Sequence, residues 1–168
     1  VIRGRSNSPS RLRLTRKRVV LPEVSARIVD DKVGFLKIPH FEKGVGVDVS
    51  AKLKMLSALG MRGLLIDVRG TAEGDLQGVL EATDLLLPKG KKILSVKDRE
   101  GAETEYFSLR EPVVTGFPVF ILIDGGTSEF AEIFTAALRD HAVGETVGER
   151  TNGEGSLQEI FHLEDGSV

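Results

Sequence analysis

The chain of 168 residues contains no cysteine, no tryptophan and one tyrosine. Without cysteine, a disulfide-stapled fold, a zinc–thiolate site and thiol-based catalysis are all excluded. Long hydrophobic runs are absent too: the strongest, residues 117–123, contains Pro118 and is far shorter than the roughly 18 residues of a membrane span. The remaining composition, 40% hydrophobic and 29% charged, is typical of a globular protein with one domain.

Acidic residues are missing from one end of the chain. Residues 1–18 carry seven basic side chains and no acidic one, so the other 150 residues hold 16 basic against 25 acidic groups, a net charge of −9. A basic arm on an acidic body is one arrangement for binding nucleic acid. Such arms usually interleave aromatic residues that stack on bases, and the first aromatic residue here is Phe35. We therefore expect no nucleic-acid partner.

Beyond this basic end, short apolar runs alternate with amphipathic stretches. Strands are predicted at residues 33–38, 63–68, 91–96, 105–108, 119–123 and 157–163, and helices at residues 48–59, 76–87 and 130–138. Residues 44–46 and 148–155, which are rich in glycine, are predicted to be loops. Strands that alternate with helices indicate an α/β domain with a mainly parallel sheet.

Functional residues of open α/β sheets lie where a strand ends and a helix begins. Three such junctions are residues 67–75, 124–129 and 148–158. The three histidines, His40, His141 and His162, are scattered and have no Ser/His/Asp spacing. The three junctions are therefore the candidate sites.

Motifs at these junctions resemble one family in their order and spacing. They are IDVR at residues 66–69, GG at 125–126 followed by EIFTAALRD at 132–140, VGERTNGEGSLQ at 147–158 and LEDGS at 163–167. Over residues 33–168 the chain resembles the C-terminal processing (tail-specific) serine peptidases, which use a Ser/Lys dyad. The resemblance implies a crotonase/ClpP-like core, with a mainly parallel sheet flanked by helices. Residues 1–24 are similar to the last strand and exit of a PDZ domain. Residues 25–168 would then be the peptidase-like core, and compared with the family this core would be truncated at its C-terminal end.

Matched to the family residue by residue, the site departs from the family pattern. The nucleophile position is Glu129, three residues after the two glycines, and the position of the general-base lysine is Glu154. The supporting glutamine is retained as Gln158. In the turn that helps to form the oxyanion hole, Glu73 stands where the family has glycine, and Gly74 is kept.

These changes oppose peptidase chemistry. A Ser/Lys dyad works because a desolvated, neutral lysine removes the serine proton, and glutamate offers neither group. Carboxylates also oppose the negative charge that an oxyanion hole must stabilise. We predict a catalytically inactive homologue that binds polypeptide C-terminal tails or a partner protein. The alternative is an active serine-type endopeptidase that uses a displaced serine, Ser128 or Ser156, or a carboxylate pair.

Other interpretations of the glutamates stay open at this point. Glu129 would gain stability in the first turn of a helix capped by Thr127 or Ser128, and Glu154 would simply be exposed. If Glu73, Glu129 and Glu154 converge, they would form a Ca²⁺ or Mg²⁺ site; no other cofactor is expected. The resemblance implies an extracytoplasmic location, in the periplasm or cell envelope. It leaves the oligomeric state open.

Overall fold

A computed structural model describes residues 13, 15, 23–30 and 32–156. Most of the predicted PDZ remnant, residues 1–24, lies outside the described residues, as does the whole of the predicted strand at 157–163. The elements of the described part are, in order, β1 (Ser25–Val29), β2 (Val33–Lys37), α1 (Val45–Ala58), β3 (Gly63–Asp67), α2 (Leu76–Asp84), β4 (Lys92–Lys97), β5 (Glu103–Phe107), β6 (Val119–Ile123), α3 (Phe130–Asp140) and β7 (Glu145–Gly148).

A five-stranded sheet forms the centre of the domain, in the order β1-β2-β3-β6-β7. Only β1 runs antiparallel to its neighbour; the other pairs in this sheet are parallel. The predicted α/β fold with a mainly parallel sheet is therefore confirmed. The edge strands β1 and β7 were not predicted: β1, SARIV, is short and has no fully buried residue, and β7, ETVG, carries a single large apolar residue.

The hydrophobic core lies between the sheet and the helices. Leu36, Ile66 and Ile121 form one register row across β2, β3 and β6, and all three are fully buried. The helices cover this face, since α1 packs on β1 and β2 and α3 packs on β7. In the next register row, on the opposite face, Phe120 is 39% exposed.

Helix α1 begins at Val45, three residues before the predicted start, so the loop predicted at residues 44–46 is wrong for Val45 and Gly46, while Gly44 lies in the turn before the helix. Two carboxylates from the α2 region bind the amides that precede the helix. Asp75 Oδ2 accepts from the amide of Lys43 at 2.8 Å, and Glu81 Oε2 accepts from that of Gly44 at 2.9 Å. Of the helices in the described part, none has the length and apolarity needed to cross a bilayer.

The hairpin formed by β4 and β5 is a separate two-stranded sheet that packs against α2 and α3. Asp84, a buried residue at the end of α2, holds the chain that leaves the hairpin. Its Oδ1 accepts from Ser108 Oγ and from the amide of Leu109, both at 2.6 Å, and its Oδ2 lies 2.7 Å from Arg110 Nε. Burial alone would raise the pKa of Asp84, but these hydrogen bonds and the charge of Arg110 outweigh burial, so the pKa is lowered. The hairpin is thereby fixed beside the helices.

Candidate active site

An ion pair between a buried carboxylate, Asp67, and the half-exposed side chain of Arg69 shapes the chain where β3 ends. Arg69 donates to the Asp67 carboxylate through both Nε and Nη2, each at 3.0 Å. Lys37 Nζ lies 3.4 Å from the same carboxylate and donates to the carbonyl of Arg69 at 2.6 Å. Burial opposes ionisation of Asp67, but the bonds from Arg69 and the charge of Lys37 prevail and lower its pKa. Sequence reasoning missed this cluster, although a charged pair directly after an apolar strand was a usable signal.

Asp124, at the end of β6, joins this junction to the next one. Its Oδ1 accepts from the amide of Gly70 at 2.9 Å and from that of Gly126 at 3.0 Å. The bond from Gly70 is the largest cause of the lowered pKa of Asp124. A Cβ on Gly126 would lie 3.0 Å from the Cα of Gly70, so the two turns touch at their backbones.

Thr127 is fully buried and strengthens the same connection. Its hydroxyl donates to the carbonyl of Val68 at 3.0 Å and accepts from the amide of Asp124 at 3.1 Å. The hydroxyl is therefore engaged away from α3, and the predicted cap by Thr127 or Ser128 is wrong. The residue at the N-cap of α3 is Glu129, and its side chain makes no capping hydrogen bond.

Glu129 has an unusual backbone conformation, with φ 46° and ψ −112°. These angles match the first central position of a type II′ turn, which glycine normally occupies because a Cβ is strained there. A sharp, strained turn between a strand and a helix is also the arrangement that exposes a nucleophile in several hydrolase folds. The turn has this shape although its side chain is a half-buried carboxylate.

Glu132, in the first turn of α3, holds the loop that follows β7. Its Oε1 accepts from the amide of Gly153 at 2.6 Å, and its Oε2 accepts from that of Glu154 at 2.9 Å. One carboxylate thus binds two consecutive backbone amides and brings position 154 to the start of α3. Sequence reasoning named Glu132 only as a landmark, since nothing local reveals a contact across 22 residues.

Glu129 and Glu154 meet in one cavity of about 360 Å³. One wall consists of residues 94–97 of β4, and the other of Ile133 from α3 together with residues 154–156. Leu94 and Ile133 give the cavity a partly apolar lining. The two glutamates that the family resemblance assigns to the dyad positions therefore line the same cavity.

Glu73 belongs to a different part of the junction and is not among the residues that line this cavity. Its carbonyl accepts from the amide of Phe41 at 2.8 Å, and its side chain is exposed. Gly74 allows this pairing, because a Cβ there would lie 2.8 Å from that of Phe41. Within the described residues no three acidic or histidine side chains are grouped to hold a metal ion, so Glu73, Glu129 and Glu154 form no Ca²⁺ or Mg²⁺ site.

The remaining predicted residues divide into three cases. Gln158 lies outside the described residues. Ser128 is 8% exposed and has its amide bonded to the carbonyl of Thr71 at 3.1 Å. Ser156 is exposed and lines the cavity, as does Lys97 from β4, which sequence reasoning did not name.

Sequence comparison places these motifs in a known family. The model for Peptidase family S41 matches residues 32–168. A carboxyl-terminal-processing protease of Synechocystis sp. is 31% identical over 163 residues, which cover 95% of this chain and 38% of the relative. The carboxy-terminal processing protease CtpA of Bacillus subtilis is 28% identical over 180 residues, with coverage of 100% and 38%. The chain thus spans well under half the length of these relatives.

Solved structures share the fold. A photosystem II D1 C-terminal processing protease has a TM-score of 0.78 at 23% identity, over 90% of this chain and 42% of that protein. A lipoprotein from Streptococcus agalactiae has a TM-score of 0.66 at 17% identity, over 87% and 56%. At these identities the likeness establishes the fold alone. The match over residues 32–168 shows that the chain belongs to peptidase family S41, the family of the C-terminal processing peptidases.

Proposed function

We propose that this chain is a member of its family that binds polypeptide segments in its cleft without hydrolysing them. The observation that carries the proposal is the shared cavity of Glu129 and Glu154, the positions that the family resemblance assigns to nucleophile and base. In such a cleft the cavity that binds the peptide is retained, while the two side chains that would attack the peptide bond differ from those of the family.

The chemistry of the two side chains supports this proposal. Acyl transfer by a Ser/Lys pair requires a hydroxyl that attacks the carbonyl carbon and an amine that takes the proton. Glu129 and Glu154 supply no hydroxyl and no amine. A tetrahedral intermediate formed beside them would place its oxyanion near two carboxylates, which is the reverse of the donors that stabilise it.

The strand that lines the cavity offers a way to bind an extended peptide. Four consecutive residues of β4, 94–97, line the cavity, so both faces of the strand border it and the cavity reaches the strand's edge. In the described part of the chain β4 pairs only with β5, and no residue of β5 lines the cavity. An extended segment can add to such an edge through backbone hydrogen bonds, while Leu94 and Ile133 contact its side chains. The relatives named as carboxyl-terminal-processing proteases suggest protein tails as the segments.

A binding assay and a cleavage assay on the same peptide test the proposal. An unstructured peptide with an apolar, free C-terminus carries one fluorophore at its N-terminus and a second on a side chain several residues before its C-terminus. It reports binding by anisotropy and cleavage by loss of energy transfer. We expect saturable binding, intact peptide and no labelling by a fluorophosphonate. Cleavage or labelling of the unmodified chain would overturn the proposal, and so would a lack of binding.

A reversal variant sharpens this experiment. Glu129→Ser and Glu154→Lys together restore the family's dyad in a turn that already has the exposed, strained shape. The double variant should label with the fluorophosphonate, whereas each single variant, as the matched control, should not. Equal labelling of the double variant and the Glu129→Ser variant would show that the lysine position is not the base.

One observation favours the alternative of an active peptidase. Ser156 and Lys97 line the same cavity, so a displaced serine has a lysine in its cleft that the sequence did not indicate. Labelling of the unmodified chain that disappears in Ser156→Ala and persists in Ser128→Ala would establish this second function.

An extracytoplasmic location stays a prediction from the family resemblance. Fractionation of the source cells, with detection of the native protein by antibody, tests it directly. Recovery in the cytoplasmic fraction alone would contradict the prediction.

A further inference from the structure

We propose that the cleft selects peptides that carry a lysine or arginine side chain, which enters between Glu129 and Glu154. This inference rests on the proposed peptide-binding function and adds to it the chemical class of the ligand. It concerns the two positions at which this chain departs from the family dyad.

Within the described part of the chain, no lysine or arginine forms an ion pair with either carboxylate. The ion pairs among the described residues join Lys37 and Arg69 to Asp67, Lys92 to Glu105, Arg110 to Asp84 and Arg139 to Asp140. Neither Glu129 nor Glu154 takes part in them. The nearby Glu132 accepts hydrogen bonds from two backbone amides and does not line the cavity.

The shape and charge of the groove favour a basic side chain over other occupants. Leu94 and Ile133 form apolar walls that suit the methylene stem of a lysine or arginine, while the carboxylates suit its charged end. A bare metal ion needs more oxygen ligands, and the described residues offer no group of three. An acidic peptide would face two like charges.

Lys97 lies on the opposite wall and reduces the net formal charge of the lining from −2 to −1. The groove therefore remains acidic overall. Because Lys97 is exposed and the glutamates belong to the other wall, a peptide that adds to β4 passes between the two signs of charge. This arrangement predicts preference for a basic residue at one defined position of the peptide and not for positive charge in general.

The test compares three peptides of the same length that differ at one residue: lysine, its uncharged isostere norleucine, or glutamate. Anisotropy titrations use the whole 168-residue chain and its Glu129→Gln, Glu154→Gln and Glu149→Gln variants. Glu149 is a matched control, since it is exposed on the same loop but does not line the cavity. Thermal unfolding of each variant confirms that it is folded.

The lysine peptide should bind about tenfold more tightly than the norleucine peptide, as two partly exposed ion pairs provide, and the glutamate peptide should bind least. Glu129→Gln and Glu154→Gln should each reduce the lysine advantage to about threefold, and Glu149→Gln should leave it unchanged. Raising the salt from 50 to 500 mM should shrink the advantage as well, because exposed charges are screened.

Three results would overturn the inference. Equal binding of all three peptides would leave the peptide-binding function standing and remove the selectivity. A lysine advantage that persists in both glutamine variants would place the acidic contact elsewhere. Absence of binding by every peptide would remove the proposed function together with the selectivity.

Discussion

The backbone of Glu129 provides the sharpest test of the structure, because glycine adopts its conformation with less strain than a residue that has a side chain. A glycine at this position should therefore raise the free energy of unfolding. A residue with a side chain in this conformation is destabilised by about 1–3 kcal/mol. Glycine adopts φ 46° and ψ −112° without that strain, and its greater freedom in the unfolded chain costs about 0.5–1 kcal/mol relative to alanine. We therefore expect Glu129→Gly to exceed Glu129→Ala in unfolding free energy by about 1 kcal/mol.

The comparison with Glu129→Ala isolates the backbone, since both variants lose the same carboxylate. Thermal or urea unfolding measures the difference, which corresponds to about 3 °C in melting temperature for a domain of this size. Ala142→Gly, at a second position with positive φ, should also stabilise, and Ala136→Gly, inside α3, should destabilise by about 1 kcal/mol. A Glu129→Gly variant no more stable than Glu129→Ala would refute the strained turn.

Three further changes address the parts that hold the site. Gly78→Ala should cost about 2–3 kcal/mol in urea unfolding, because its Cβ would meet the carbonyl oxygen of Phe41, whereas Gly63→Ala, with its nearest neighbour at 3.8 Å, should be close to neutral. Glu132→Gln should leave global stability within about 1 kcal/mol but raise hydrogen exchange at the two loop amides bound to it; unchanged exchange would contradict the contact. The pKa of Asp84 is lowered in the folded state, so its ionised carboxylate stabilises the fold above its unfolded pKa of about 3.9. This stabilisation is lost as the pH falls through the folded pKa. Asp84→Asn should therefore lower the unfolding free energy at pH 7, and the unfolding free energy of the variant should decrease less between about pH 5 and pH 2. Parallel curves of unfolding free energy against pH for the two proteins would argue against this role.

The central strands and the three helices could be predicted from sequence, because apolar spacing alone specifies them. Strands β3 and β6 are continuous apolar runs, and α3 repeats its apolar residues at helical spacing. The edge strands could not be predicted in this way. β7 has a single large apolar residue, Val147, and β1, whose apolar residues do alternate with polar ones, is only five residues long.

The site shows a similar division between local and long-range causes. The motif order predicted that Glu129 and Glu154 belong to one site, and the shared cavity agrees with that expectation. The start of α1 depends on the carboxylate of Glu81, and the position of the 153–154 loop depends on that of Glu132. Both carboxylates are distant in sequence from the amides that they bind, so no local sequence pattern predicts these contacts. Convergence of Glu73 with the other two was expected from the turn motif alone, which does not specify where the side chain points.

Asp124 and Glu132 position the backbone around the cleft through hydrogen bonds, whereas other residues, Glu129 and Glu154 among them, line the cleft with their side chains. Both carboxylates bind backbone amides, which every residue type other than proline presents. Glu132 thereby holds position 154 whatever side chain stands there, and Asp124 holds the turn at Gly126 that leads to Glu129. Two substitutions can therefore exchange one chemistry for another while the architecture persists. The family match extends over residues 32–168, so it does not by itself report which side chains stand at positions 129 and 154.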